Sequence, residues 1–335
     1  MIYNLAKQFT GKLIKMMCFF TGGHQMGLSL NKIVKPQTTA LNERGRVFSS
    51  AQSPTKRPYV EGERIKFTNK DIRYLLKNIT KIYRLPQTIQ TTVKLIKKDH
   101  EGLNSRITAA VFNELEKLLQ ELQVDEYGFF EVMPEQLFKG CGVPHQYALV
   151  FSSAMDPDTF KTAPSIVCQV EVAKVYVKTG DIANSVAGFL QKNGFGVSPN
   201  HSIGGQLDYS MAAQWAGIGI VGRHSMAITR KNGACQRLSV VYTNIENLGA
   251  YIVSNPRNLA WVNEFCQKCG KCIRNCPTEA ILQEPVIRDG FNPTRVDYDK
   301  CSRGFVNYGC GVCIRECPFT VGNYDQIKSA YLKKR

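Results

Sequence analysis

No run of about 20 apolar residues occurs in this 335-residue chain, so no transmembrane helix is expected. The most apolar N-terminal stretch, Leu13 to Phe20, is short and interrupted by Lys15. With Lys7 and Lys12 before it, it resembles a poor signal peptide, and it has no clear small-residue cleavage site. No Arg-Arg pair offers twin-arginine export. The expected location is cytoplasmic, with contact to a membrane surface left open. Acidic residues are also scarce, 27 against 43 Lys and Arg, which gives a net charge of +16. Residues 1–125 carry 21 basic and 10 acidic residues, so most of the excess lies in the first third. Such a face suits anionic lipid, an acidic redox partner or nucleic acid, or is a solvated surface. No RNA- or DNA-binding motif accompanies it, so nucleic acid is not an expected partner. Hydrophobic residues at 43% and charged ones at 21% describe a soluble globular chain, and its length predicts two or three units.

Cysteine is concentrated. Eight of the 12 lie between positions 266 and 317. Cys266, Cys269, Cys272 and Cys276-Pro277 follow C-x2-C-x2-C-x3-C-P, the ligand run of bacterial ferredoxins. Cys301, Cys310, Cys313 and Cys317-Pro318 repeat it with the first gap widened to eight residues. A cubane has four irons and needs one thiolate for each. Closely spaced cysteines wrap a loop whose amides face the sulfurs, and the fourth ligates the other cluster in two-cluster ferredoxins. Cys266, Cys269, Cys272 and Cys317 are therefore assigned to one 4Fe–4S cluster, and Cys276, Cys301, Cys310 and Cys313 to a second. Structural zinc prefers paired C-x2-C units with a longer spacer. A disulfide framework belongs to small secreted chains. Cys18, Cys141, Cys168 and Cys235 are scattered, and Cys168 reads as a packing residue in an apolar helix.

Residues 1–65 show no clear apolar period and are interrupted by Pro36, Pro54 and Pro58. Since no ligand falls there, residues 1–60 are expected to be separable from the clusters. Helices are expected over 70–84, ended by Pro86, and over 106–123, with Ile107, Val111, Leu115, Leu118 and Leu122 on one face. Buried strands are expected at Tyr127–Met133 and Tyr147–Phe151. A long helix follows from Ser165 to Lys192, with Gly180 as a candidate kink. Then come an extended piece at Phe195–Ser198, a helix over Tyr209–Ala216, and strands at Met226–Thr229 and Leu238–Thr243 joined across Lys231-Asn232-Gly233. The pattern predicts a mixed sheet covered by helices, an α/β (α+β) fold. Gly217, Gly219 and Gly222 form a G-x-G-x-x-G, but helical, polar residues precede it instead of a buried strand. Close backbone packing, or approach of some other large cofactor, explains these glycines better than a dinucleotide.

Ala216-Gly-Ile-Gly-Ile-Val-Gly-Arg-His-Ser-Met-Ala-Ile-Thr229, then Gly233, Arg237 to Asn244 and the cysteine run, resembles the C-terminal half of corrinoid-dependent reductive dehalogenases. Epoxyqueuosine reductases share a related order of elements, and Gly222-Arg223-His224 is closer to the dehalogenase form. The resemblance covers about residues 125–320 and is strongest over 210–320. It implies a nitroreductase-like sandwich holding base-off cobalamin or another corrinoid, followed by a two-cluster ferredoxin domain. It further implies a corrinoid-binding-like domain over 126–258 and the cluster domain over 259–325; charge and helical periodicity add a basic, mainly helical region over 1–125 and a basic tail over 326–335. No D-x-H-x-x-G offers a histidine as a replacement lower ligand, as in the other common cobalamin fold.

On this resemblance, Gly217, Gly219, Gly222, Arg223 and His224 are candidate cofactor contacts. Tyr176 stands where the family has its proton-donor tyrosine, Arg237 fits the cationic position and Asn200 a polar neighbour. A phenol ordinarily titrates near pH 10, which suits a proton released only to a carbanion-like centre. Tyr209 is the substitute donor. Taken residue by residue, Tyr176 also reads as a surface helix residue, Arg237 as a solvated strand residue and Asn200 as a turn former. His201 and His224 read as hydrogen-bonded core or loop histidines. The expected partners are a small-molecule substrate and a low-potential electron donor, such as a ferredoxin, a flavodoxin or a membrane redox protein. Two other readings share the cysteine spacing: an electron-transfer protein without corrinoid, and a tRNA-modifying reductase acting on a queuosine precursor.

Overall fold

The computed structural model describes residues 30–55, 68–252, 259–287, 293–305 and 310–333. The Leu13–Phe20 stretch, Cys18 and Pro58 lie outside these residues. The first described element is a helix, α1 (Leu30–Glu43), that runs through Pro36. This corrects the reading of the segment as broken at Pro36. Pro36 lies on the exposed side, while Val34, Gln37, Ala40 and Leu41 are buried. Tertiary burial of that side outweighs the lost backbone hydrogen bond. Strand β1 (Val47–Phe48) follows. The helix expected over 70–84 divides at Asn78 into α2 (Asn69–Lys77) and α3 (Ile79–Ile82). Pro86 does not close a helix but sits in the first turn of α4 (Leu85–Lys98), where a missing N–H costs nothing. In α5 (Ala109–Glu121) the buried side is Phe112, Leu115 and Leu119, joined by Ile107 just before the helix. Val111, Leu118 and Leu122 only flank it.

The centre is a four-stranded antiparallel sheet. It is built from β2 (Glu126–Glu131), β4 (Tyr147–Ala154), β5 (Val197–Asn200) and β8 (Gln236–Thr243), in the order β2-β4-β8-β5. Strand β3 (Gly142–Val143) pairs with β1 outside it. Ala148 and Val150 of β4 face one layer with Leu41, Leu207, Ala212 and Ala213; Leu149 and Phe151 face the other with Ile182, Val186 and Leu190. Because both faces are covered, β4 reads in sequence as a continuous apolar run. After the short α6 (Pro157–Phe160), helix α7 (Ile166–Lys192) crosses the second face. Its N-cap, Ser165, accepts from the Cys168 amide, and Asn193-Gly194 closes it. It has no break at Gly180: a Cβ there would lie 2.4 Å from His201 Nε2, so the glycine makes room for the imidazole.

Helix α8 (Tyr209–Trp215) covers the first face and leads into β6 (Gly219–Val221). Strand β7 (Ala227–Thr229) pairs with β6, whereas β8 passes into the main sheet. The two strands read as joined across Gly233 therefore belong to different sheets. The cysteine-bearing part comprises α9 (Trp261–Cys269), α10 (Lys271–Arg274), β9 (Ile281–Val286), β10 (Thr294–Val296), α11 (Tyr298–Phe305), α12 (Val312–Glu316), α13 (Pro318–Val321) and α14 (Tyr324–Lys333). Trp261, Val262, Cys317 and Phe319 pack on Ile220 and Ile228, which docks this part against β6 and β7. No described helix is long and apolar enough to cross a membrane.

Leu41 is fully buried against the sheet. Leu41→Ala should destabilise the protein by about 2–5 kcal/mol, the usual range for a buried leucine. The effect should appear as a lower urea midpoint. A midpoint equal to that of the parent protein would show that α1 adds nothing to the core.

Candidate functional site

The eight cysteines are presented by short helices and left-handed turns. Helix α9 carries Cys266 and Cys269, and Gly270 then turns the chain at φ +59° into α10, which carries Cys272. Cys310 (φ +46°) and Gly311 (φ +76°) make a similar turn into α12 with Cys313. Only glycine adopts such angles freely, so Gly270 and Gly311 are the positions where the sequence permits these loops. The thiols that act on Cys317 are those of Cys266, Cys272 and Cys269. Those that act on Cys313 are Cys310, Cys301, Cys272 and Cys276. Burial, followed by these neighbouring thiols, pushes Cys313 and Cys317 well above the ordinary thiol range. Burial likewise raises Cys266 and Cys272 to about 11. At Cys276 burial is outweighed by the amides of Thr278 and Ala280, the latter 3.3 Å from Sγ, and the thiol is held low. Among the described residues no three His, Cys, Asp or Glu side chains stand around a single ion. A cubane, with one thiolate per iron, spreads its ligands more widely than one tetrahedral zinc.

A cavity of about 290 Å³ opens between α7, the 202–210 segment, the β6–β7 turn and the start of β8. Tyr176, Tyr209, Met226 and Arg237 all line it. Tyr176 projects from α7, half-buried, and the Arg237 guanidinium carbon lies 5.3 Å from its ring centroid. That is cation–π distance. Arg237 Nη1 donates to the Gln236 carbonyl at 3.4 Å, while Nε is buried without a partner. Asn200 does not line the cavity but stands behind its wall. Its Oδ1 accepts from Gln206 N and Tyr242 Oη, each at 3.2 Å, and its Nδ2 is buried and unpartnered. Tyr209 Oη donates to the carbonyls of Asn200 (3.1 Å) and His201 (3.0 Å). Its proton therefore already ties down the loop.

That loop is held by residues with no sequence signal. Gln37 Nε2 donates to the Ile203 and Gly204 carbonyls, and Gln37 Oε1 accepts from His201 N at 2.9 Å. His201 Nδ1 accepts from Ile203 N, and its Nε2 meets Thr88 Oγ1 at 3.0 Å. Burial lowers His201 to about 3 and His224 to about 4, so both are neutral at pH 7. His224 Nδ1 accepts from Met226 N at 3.1 Å, which leaves the proton on Nε2, a buried atom without a partner. Gly217, at φ +72°, follows α8 as its left-handed cap. A Cβ at Gly219 would press on Ile228 and Thr229, and one at Gly222 on Ile228 and His224. These glycines are thus occupied by close packing within the β6–β7 hairpin.

The β6–β7 turn connects the cavity to both thiol sets. The Arg223 amide donates to Cys266 Sγ. Ser225 Oγ lies 3.0 Å from Tyr298 Oη, and Tyr298 packs against the same apolar cluster as Cys276, Cys301 and Cys313. Met226 packs in the same cluster as Ile314 and Cys313.

Residues 265–321 match the 4Fe-4S dicluster domain family, so this part of the chain is a two-cluster ferredoxin-type domain. The chain is 30% identical over 218 residues to a tetrachloroethene reductive dehalogenase of Desulfitobacterium hafniense, covering 61% of this chain and 38% of that protein. It is 31% identical over 117 residues to the epoxyqueuosine reductase of Vibrio cholerae, covering 32% of this chain and 29% of that one. A solved reductive dehalogenase, described as acting by B12-dependent dehalogenation, superposes with a TM-score of 0.60 at 20% identity, over 72% of this chain and 37% of that one. The chain is thus a sequence relative of the reductive dehalogenases and shares their fold, while spanning less than half the length of those it matches.

Proposed function

We propose that this relative of the reductive dehalogenases removes halide reductively from a small organohalide, with two 4Fe–4S clusters delivering electrons to a corrinoid. The observation that carries this reading is Tyr176 under Arg237 in a cavity whose β6–β7 wall reaches the first thiol set through the Arg223 amide. Cys266, Cys269, Cys272 and Cys317 would hold one cluster, and Cys276, Cys301, Cys310 and Cys313 the other. The buried, unpartnered donor Arg237 Nε, on a residue that lines the cavity, fits a cofactor whose rim carries amide oxygens. At about 290 Å³ the cavity is of substrate size, so it would take only part of a corrin. When bound, the corrinoid supplies the low-valent cobalt that breaks the carbon–halogen bond.

The chain's own residues would supply the proton and the environment. Tyr176 Oη donates a proton to the carbon that loses halide. Arg237 stabilises the phenolate left behind, through its charge over the ring. Asn200 and Tyr209 fix the loop that closes the cavity. A low-potential donor such as a ferredoxin, a flavodoxin or a membrane redox protein would recharge the clusters.

Anaerobically purified protein, reconstituted with cobalamin, should contain about one cobalt per eight irons, since two cubanes hold four irons each. It should release halide from a member of an organohalide panel with a chemical reductant. Iron without cobalt after reconstitution would point to a plain electron carrier. Cobalt without halide release would keep the cofactor and remove dehalogenation.

A further inference from the structure

The two thiol sets lie in different electrostatic surroundings. Beside Cys266 are two guanidiniums, Arg223 and Arg295, each acting on its thiol and on the other. The Arg223 side chain is only 8% exposed, its Nη2 donates to the Leu282 carbonyl at 3.3 Å, and its Nε is buried without a partner. Its carboxylate neighbour is Glu284, 3.5 Å from Nη1 and 84% exposed. Water screens a pair of that kind strongly. Arg295 is half-buried, with Asp208 as the carboxylate that acts on it. Two desolvated like charges at one place are costly unless an anion lies with them.

The second set is different. Its neighbouring guanidinium, Arg315, acts on Cys310. Arg315 places both Nε and Nη2 2.8 Å from Glu316 Oε1, and its Nη1 donates to the Ala163 carbonyl. Its charge is met by a carboxylate at 2.8 Å, whereas buried Arg223 has only a carboxylate at 3.5 Å that water screens.

We propose that Arg223 and Arg295 hold the reduction potential of the cluster on Cys266, Cys269, Cys272 and Cys317 above that of the cluster on Cys276, Cys301, Cys310 and Cys313. The first electron from the low-potential donor then rests on the former. The step is one electron in, [4Fe–4S]2+ becoming [4Fe–4S]+, with no bond made or broken. A cubane on four thiolates is a net anion that gains one more negative charge on reduction, so a fixed cation nearby favours the reduced form. Both arginines act as tuning residues and touch no substrate.

This inference rests on the two-cluster reading, and iron content separates failure of that reading from failure of the charge argument. The experiment is an EPR-monitored redox titration of the reconstituted full chain, with dithionite as reductant. Two waves are expected, and the higher one should vanish in Cys269→Ala. Arg223→Met should lower the higher wave by at least a tenfold change in the reduction equilibrium, about 59 mV for one electron. The lower wave should stay in place. Arg223→Lys keeps the charge and should largely restore the potential. Glu284→Gln removes only a charge that water already screens and should leave both waves in place. An unmoved wave in Arg223→Met, or loss of the lower wave in Cys269→Ala, would overturn the proposal. If Arg223→Met does not fold, Arg295→Gln decides, because that side chain is only half-buried; an unmoved higher wave there would also overturn the proposal. Parent protein with clearly fewer than about eight irons would overturn the two-cluster reading and this inference together.

Discussion

Tyr176→Phe should retain its iron and cobalt and lose about 10²-fold or more in halide release, the scale of a missing general acid. The substitution removes one oxygen from a half-buried ring on α7 and leaves the ring under Arg237. No hydrogen bond of that hydroxyl to another described residue is seen, so little structural cost accompanies its loss. Arg237→Leu should lower turnover in the same direction, because it removes the cation over the ring and exposes the phenolate to an apolar wall. The measurement is steady-state halide release beside metal analysis of the same samples. A Tyr176→Phe protein as active as its parent would remove Tyr176 from the mechanism. Tyr209 would then be the remaining phenol in the cavity, although its proton is committed to two carbonyls.

Cys269→Ala and Cys313→Ala should each leave about four irons per chain and abolish turnover. Each removes one thiolate from a different set, and a path through two centres fails when either is missing. Cys269 lies next to the left-handed turn at Gly270, and Cys313 is half-buried among Cys310, Cys301 and Cys276. Single variants that both keep full iron would count against the assignment, as would zinc in the parent. Cys168→Ala is the control. Its Sγ donates to the Thr159 carbonyl at 3.3 Å and belongs to neither set, so iron should be unaffected.

The parts of the molecule legible in sequence are those governed by local rules. The C-x2-C-x2-C-x3-C-P run can be read because ligand geometry repeats over a few residues. The α7 helix and β4 were legible because apolar content persists over their length. Helix α1 was hidden because Pro36 is a strong local breaker, and only burial of Val34 and Leu41 reveals why the helix survives. Pro86 was read as a stop because a helix end and a helix start share the same residue preference. Gly180 looks like a kink in sequence because the imidazole that needs the space comes from 21 residues later.

The sequence by itself determined the cluster chemistry, the mixed α/β class and the identities of Tyr176 and Arg237 as candidates. Tertiary structure alone decided that Arg237 lies over the Tyr176 ring, that Asn200 stands behind the cavity and that Gln37 pins the loop in front of it. It also decided that Arg223 and Arg295 meet at Cys266 although 72 residues separate them in the chain. Thiolate spacing is imposed by a cofactor on neighbouring residues and so leaves a local pattern. The cavity and its charges are assembled from segments brought together by burial of the sheet's two faces, and such proximity leaves no periodicity to read.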